Sequence, residues 1–87
     1  MHVYSIYDEK ALCYGLPFFQ KTDGIAVRLF NDLVNDPDSS LFKHPTDYKL
    51  YRIGEFDEVS ALIEPVTPFF LANGAINVVD AIPEKNT

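Results

Sequence analysis

Residues 22–35 are the one stretch of this chain with the periodicity of an amphipathic helix, and they separate two segments rich in β-forming residues. Apolar side chains recur at every fourth position, and a neighbouring set widens the stripe: Ile25, Leu29 and Leu33, then Ala26, Phe30 and Val34. Thr22 or Asp23 can cap the helix by accepting hydrogen bonds from the unpaired amides of its first turn. Pro37 stops it. One helix between β-rich segments indicates an α+β fold.

The segments before and after the helix have the pattern of two β-hairpins. Residues 3–8 predict the first strand and residues 11–14 its partner, with a polar break between them. Residues 48–55 predict the third strand and residues 61–64 the fourth. The predicted order is therefore β-β-α-β-β, a small antiparallel sheet with one helix packed on one face. The other sheet face is left to water, to a second copy or to a ligand.

Alternation within residues 48–55 assigns side chains to opposite faces of the predicted sheet. Two sets result: Lys49, Tyr51 and Ile53 on one face, and Leu50, Arg52 and Gly54 on the other. Lys49 and Arg52 therefore cannot line one groove, unless that groove lies at a sheet edge or at a dimer interface.

The end of the chain is apolar but has no clear period. Residues 65–68, with two prolines, are expected to close the regular structure. The tail then predicts, in order, a short helix over residues 69–72 after Pro68, a turn at Asn73 and Gly74, and a fifth strand over residues 76–79. Residues 83–87 should fray. Because 87 residues leave room for one domain only, residues 1–87 are expected to form a single domain.

The chain lacks the sequence signatures of common catalytic and metal sites. It has no glycine-rich phosphate loop, no His-Glu-x-x-His pair and no Gly-x-Ser-x-Gly elbow. His2 and His44 lie at a terminus and before a proline, where a solvated role is expected. Cys13 is the single cysteine, so an internal disulfide is excluded, and we expect it to be a small buried hydrophobe. We therefore expect no enzyme activity, no cofactor and no metal.

The sequence also bears on where the protein works. The first residues lack a basic region followed by an apolar run, so no signal peptide is predicted. No apolar stretch approaches the roughly 20 residues needed to span a bilayer. A single thiol suits a reducing compartment. These features predict a soluble cytoplasmic protein with no membrane partner.

The charge distribution is uneven. The net charge is −6, whereas nucleic-acid-binding proteins usually carry a basic surface that neutralises phosphates. Residues 41–54 contain three cations and one acid, a net of +2, while residues 1–40 and 55–87 carry −3 and −5. The middle segment is therefore the only cationic one.

Aromatic and basic residues are interleaved along the predicted strands, and such an arrangement often binds single-stranded nucleic acid. The candidate contacts are Lys49, Tyr51 and Arg52, with Tyr7 and Lys10 from the first hairpin. In this interpretation the rings stack on bases and the cations meet phosphates. The alternative is that the rings belong to the core and the cations are solvated, and the pattern alone favours this alternative.

Several short pieces of the chain, in one order and spacing, point to a known family. They are residues 4–8, 17–19, 22–36, 44–48, 50–57 and 64–65, of which residues 50–57 are the densest match. On these residues the chain resembles the small nonstructural protein of gokushoviruses, tiny single-stranded DNA phages of the family Microviridae. The resemblance covers roughly residues 4–65, and it carries over no catalytic residues.

The resemblance implies a nonstructural phage protein that binds single-stranded DNA or assists replication or packaging of the genome. We expect it to act in the host cytoplasm, as a homodimer, together with viral replication or packaging proteins. The rival hypothesis is an acidic adaptor that meets a viral or host protein and binds no nucleic acid. Bulk charge favours the adaptor, and the resemblance favours DNA.

Overall fold

The computed structural model describes residues 1–75, which contain five strands, two α-helices and one 3₁₀ turn. The strands are β1 (His2–Asp8), β2 (Cys13–Tyr14), β3 (Phe18–Gln20), β4 (Tyr48–Phe56) and β5 (Ile63–Asn73). The helices are α1 (Asp23–Val34) and the short α2 (Ser40–Lys43), which is followed by the 3₁₀ turn Pro45–Asp47. None of the helices in this part of the chain has the length and apolarity needed to cross a bilayer.

All five strands belong to one antiparallel sheet. Its order is β2-β1-β4-β5, and β3 pairs with the first half of β1 on the edge that β2 uses further along. β4 pairs with β1 from His2 to Asp8 on the opposite edge. The α+β fold with its two hairpins is therefore confirmed. β3 is not predicted by the sequence, because a strand of three residues is too short to show alternation.

α1 begins directly after its N-cap and buries one of its two apolar stripes. The Thr22 hydroxyl oxygen accepts a hydrogen bond from the amide of Ile25 at 3.2 Å, which confirms Thr22 as the N-cap. The side of α1 that faces the sheet carries Ala26, Phe30 and Val34, all fully buried. Ile25, Leu29 and Leu33, which recur at every fourth position of the predicted apolar stripe, are instead 37–39% exposed. Two adjacent apolar stripes are offset by about 100°, so periodicity alone cannot choose between them.

The core lies between α1 and one face of the sheet. Tyr4 from β1 and Leu50 from β4 are completely buried beneath Phe30, and Phe18 packs against this cluster from β3. The remaining buried members of the cluster come from both helices and from β5: Ala26, Val34, Leu41 and Ala72. One helix thus seals one face of the sheet.

β5 corrects the prediction for the tail. It runs from Ile63 to Asn73, through both Pro65 and Pro68, so the prolines do not close the regular structure and residues 69–72 are not helical. Proline is tolerated because β5 pairs on one side only, with β4, among the described residues. The register with β4 shifts between Arg52 and Gly54, where the prolines lie opposite. The turn at Asn73 and Gly74 is confirmed, while the predicted strand 76–79 and frayed tail 83–87 lie outside the described residues.

Cys13 also differs from its prediction. The thiol-bearing residue is exposed rather than buried. It lies in a strand of two residues at the edge of the sheet, where no element of residues 1–75 buries it. A short apolar run predicts burial only when a neighbouring element packs over it.

Candidate nucleic-acid interface

The sheet face opposite α1 carries a continuous row of aromatic rings. Tyr7 and Tyr14 are cross-strand partners in β1 and β2, with ring centroids 4.8 Å apart. The Tyr14 ring meets Tyr51 of β4 edge-on at 5.6 Å, and Tyr51 meets Phe70 of β5 in the same way at 5.8 Å. We call these four residues the aromatic row. Its ring contacts run from Tyr7 to Tyr14, then to Tyr51 and to Phe70, and so connect β1, β2, β4 and β5.

The row is held in place but not covered. Tyr14 is 42% exposed and Phe70 is 48% exposed, while Tyr7 and Tyr51 are half-buried. Ser5, which lies opposite Tyr51 on the same face, is buried and donates a hydrogen bond to the carbonyl of Gly15 at 2.7 Å. That bond ties β1 to the segment after β2. The rings therefore form a partly exposed, pre-organised surface.

A second aromatic pair lies further along this face. Phe18 packs with Tyr4 under the helix, so the next residue, Phe19, points to the opposite side of the sheet. The Phe19 ring meets Phe56 of β4 with centroids 5.5 Å apart. The sheet face opposite α1, which we call the open face, thus carries aromatic rings near both of its ends.

Lys49 lies on the open face, directly opposite Tyr7 in the pairing of β1 with β4. Its ammonium group is ion-paired with the carboxylate of Glu9, in the turn between β1 and β2. Lys10 follows Glu9 in this turn and is exposed, with no ion pair to its side chain among residues 1–75. Two cations therefore lie beside the aromatic row, and one of them is already paired.

Arg52 lies on the other face, beneath the start of α1. Its guanidinium donates a hydrogen bond to the Asp23 carboxylate, and Nε lies 3.8 Å from Oε2 of Glu55. The guanidinium carbon is also 4.8 Å from the ring centroid of Phe69, a cation–π contact. These contacts hold the helix to the sheet and to β5.

Asp23 completes this network with Tyr4. The buried Tyr4 hydroxyl donates to Oδ1 of Asp23 at 2.7 Å. Burial alone would raise the pKa of Asp23, but the hydrogen bonds from Arg52 and Tyr4 outweigh it and hold that pKa below its ordinary value. Burial, together with the bond to Asp23, raises the pKa of Tyr4. The hydrogen bond to Asp23 raises the pKa of Arg52 further. Both charges and the neutral phenol are therefore stable near neutral pH.

The structure brings together four of the five residues that the sequence singled out. Lys49, Tyr51 and Tyr7 share the open face, with Lys10 in the turn beside them, while Arg52 takes the opposite face, as alternation in β4 predicts. The sequence-based set lacks two members of the row, Tyr14 and Phe70. The hairpin register could have found Tyr14, because it places that residue opposite Tyr7. No local signal marks Phe70 as part of a sheet face, since the sequence predicts a short helix over residues 69–72.

The remaining polar clusters show no metal site. No group of three or more His, Cys, Asp or Glu side chains in residues 1–75 is arranged to hold a metal ion. A shallow cavity of about 200 Å³ near the turn between β4 and β5 has three acidic residues and two apolar ones in its wall: Glu55, Asp57, Glu64, Phe56 and Leu62. It lies at the end of β4 away from Lys49.

Comparison with known proteins assigns the chain to a family. Residues 1–77 match the family model described as Phage ORF5 protein. The chain is also 35% identical over 85 residues to "Protein ORF5" of Chlamydia phage 1, an alignment that covers 93% of this chain and 83% of that protein. No solved structure matches the chain. The protein therefore belongs to the Phage ORF5 protein family.

Proposed function

We propose that this phage protein is a nonstructural protein that binds single-stranded DNA on its open sheet face, in support of genome replication or packaging in the host cytoplasm. The observation that carries the proposal is the aromatic row, a partly exposed line of four rings across the sheet. The resemblance to gokushovirus nonstructural proteins supports the same function.

The row suits unpaired bases rather than a duplex. An unstacked base presents a π-face that any aromatic side chain can meet, and each such contact contributes about 1–3 kcal/mol with little dependence on sequence. The bases of a duplex are already stacked on one another and do not offer that face. Tyr14 and Phe70 are the most exposed rings of the row, so the first stacking contacts are assigned to them.

The phosphates would be met by Lys49 and Lys10. Lys49 is held by Glu9, and the whole chain carries a net charge of −6. A phosphate must therefore displace the Glu9 carboxylate before it reaches Lys49, while long-range repulsion slows the encounter. Stacking then supplies most of the affinity, and we expect weak binding that added salt reduces only slightly, because at most these two lysines meet phosphates.

Replacement of Phe70 by alanine is expected to weaken binding of oligo-dT about tenfold, because it removes one exposed stacking ring. Phe69 supplies a matched control. It is the neighbouring residue of β5, is 54% exposed, and lies on the opposite face against Arg52. Phe69→Ala should leave the dissociation constant within about twofold of the parent value. The measurement is fluorescence anisotropy of labelled oligo-dT at low and at high salt.

Equal losses for the two variants would show that the open face is not the binding surface. Circular dichroism of both variants checks that each remains folded at the temperature of the titration. The same titration with a duplex of equal length should show weaker binding, because stacked bases do not offer their faces to the row.

Replacement of Glu9 by glutamine is expected to tighten binding about three- to fivefold at low salt, since it frees Lys49 and removes a negative charge beside the row. Glu58 is the control. It follows Asp57 in the β4–β5 turn as Glu9 follows Asp8 in the β1–β2 turn, at the other end of β4. Glu58→Gln changes the net charge equally but frees no cation near the row. If both variants tighten binding alike, the effect comes from net charge and Lys49 has no part in it.

The second candidate is an acidic protein–protein adaptor. It is favoured by the negative charge and by the outer strand β5, where Ile63, Phe69 and Phe70 are about half exposed. In this function the aromatic row meets a viral or host protein. An absence of oligo-dT binding at low salt, with tens of micromolar protein, would exclude the DNA function and leave the adaptor.

A further inference from the structure

An apolar ridge runs along the outer flank of α1, on the opposite side of the sheet from the aromatic row. Ile25, Leu29 and Leu33 form it, and each is 37–39% exposed although the adjacent stripe of the same helix is fully buried. Three apolar side chains at a spacing of four residues make one continuous strip about 12 Å long. We call these three residues the helix ridge. A soluble domain gains by covering such a strip.

Two opposite charges flank the helix ridge on one side. Arg28 and Asp32 are one turn apart on the outer surface of α1, and both are exposed. Neither makes an ion pair within residues 1–75. Lys49 and Arg52, by contrast, are paired with Glu9 and Asp23. A cation and an acid without an ion pair among the described residues therefore lie beside the apolar strip.

We propose that the helix ridge is the contact surface for a second copy of this chain, with the two α1 helices packed antiparallel about a two-fold axis level with residue 30. That register places Leu29 between the partner's Leu29 and Leu33, and Leu33 between the partner's Ile25 and Leu29, so the two ridges interdigitate. Because the two-fold operation keeps both charged flanks on one side of the contact, Arg28 meets the partner's Asp32, and Asp32 meets the partner's Arg28. The surface is thus complementary to itself in both shape and charge, as an isologous interface requires.

The contact leaves the aromatic rows of both copies uncovered, since the helix lies on the other face of each sheet. Two open faces in one particle could engage two stretches of the same strand. The dimer does not depend on DNA binding, and it goes beyond the function proposed above. A single pair of 12-residue helices, about 18 Å long, is smaller than a standard protein interface, so we expect a dissociation constant on the order of 100 µM.

Analytical ultracentrifugation from 5 to about 500 µM tests the proposal without DNA; the upper value is a few times the expected constant. The full chain should pass from monomer to dimer over that range. Leu29→Glu should keep the protein monomeric throughout, whereas Val59→Glu, an equal change at a 96% exposed position in the β4–β5 turn, should leave the dimer intact. A wild-type protein that is monomeric at the highest concentration, or a Leu29→Glu dimer, would overturn the proposal.

A charge exchange separates the interface from effects within one helix. Arg28→Asp alone and Asp32→Arg alone should each weaken self-association about tenfold, because each variant carries two like charges that face the same two in its partner. An equimolar mixture of the two variants should associate again, since all cross-contacts are then attractive. A change inside one helix cannot be repaired by mixing. A mixture that stays monomeric would overturn the two-fold arrangement, and oligo-dT binding by the same variants reports separately on the DNA function.

Discussion

Phe30→Ala is expected to bring the free energy of unfolding of this protein close to zero at room temperature. Phe30 is completely buried at the centre of α1, against Tyr4 and Leu50 of the sheet. Removing a buried phenylalanine ring costs about 3–5 kcal/mol, through lost burial and the cavity left behind. A domain of this size has a free energy of unfolding of roughly 4–13 kcal/mol and, being small, should lie near the lower end. The measurement is urea denaturation followed by circular dichroism at 222 nm.

Phe42→Ala provides the comparison for this loss. Phe42 lies in α2 and is 42% exposed, so its truncation should reduce the free energy of unfolding by no more than about 1 kcal/mol. Similar midpoints for the two variants would mean that the interior between α1 and the sheet is not the main source of stability.

Asp23→Ala is expected to cost about 2–3 kcal/mol of stability. The larger part comes from Tyr4, whose buried hydroxyl loses its acceptor and is left unsatisfied, at about 1–3 kcal/mol. The smaller part is the lost ion pair with Arg52, which contributes at most about 1 kcal/mol because solvent screens this partly exposed pair. Asp23→Asn keeps an acceptor for Tyr4 and should cost less than half as much. Equal losses for both variants would show that charge, and not the Tyr4 hydrogen bond, dominates.

The same network sets the response to pH. The folded-state pKa of Asp23 is lowered, so its contribution is present above the unfolded value of about 4 and is lost as pH falls through the folded value. The folded-state pKa of Tyr4 is raised, so its contribution is present below the unfolded value of about 10 and is lost as pH rises beyond it. Asp23→Asn should flatten the acid side of the stability profile. Denaturant midpoints between pH 2 and 11 give both limbs of that profile, since they bracket the two unfolded values.

Arg52 stabilises the fold through this network and does not lie beside the aromatic row. Its guanidinium is shared among Asp23, Glu55 and Phe69, so it joins the helix, β4 and β5. A nucleic-acid strand on the open face cannot reach it from there. The cations near the row are Lys49 and Lys10, and the function proposed here depends on those two.

The sequence alone determined the kind of fold and the orientation of its best-patterned strand. Local periodicity predicts α1, and turn residues between β-forming runs predict both hairpins, because these signals depend only on neighbours in the chain. The alternation in β4 correctly separates Lys49 and Tyr51 from Arg52, since the side-chain period of a strand is fixed at two. Thr22 was identified as a possible cap for the same local reason.

Only the tertiary structure decided which surfaces those elements cover. In the folded chain Ala26, Phe30 and Val34 are buried, while the helix ridge is partly exposed. β5 continues through two prolines, which it tolerates because it pairs on one side only among the described residues. The aromatic row joins Tyr7 to Phe70, and the pairs of Lys49 with Glu9 and Arg52 with Asp23 join residues 40 and 29 positions apart. Such contacts depend on strand register and on how the helix packs against the sheet, and no stretch of neighbouring residues encodes either.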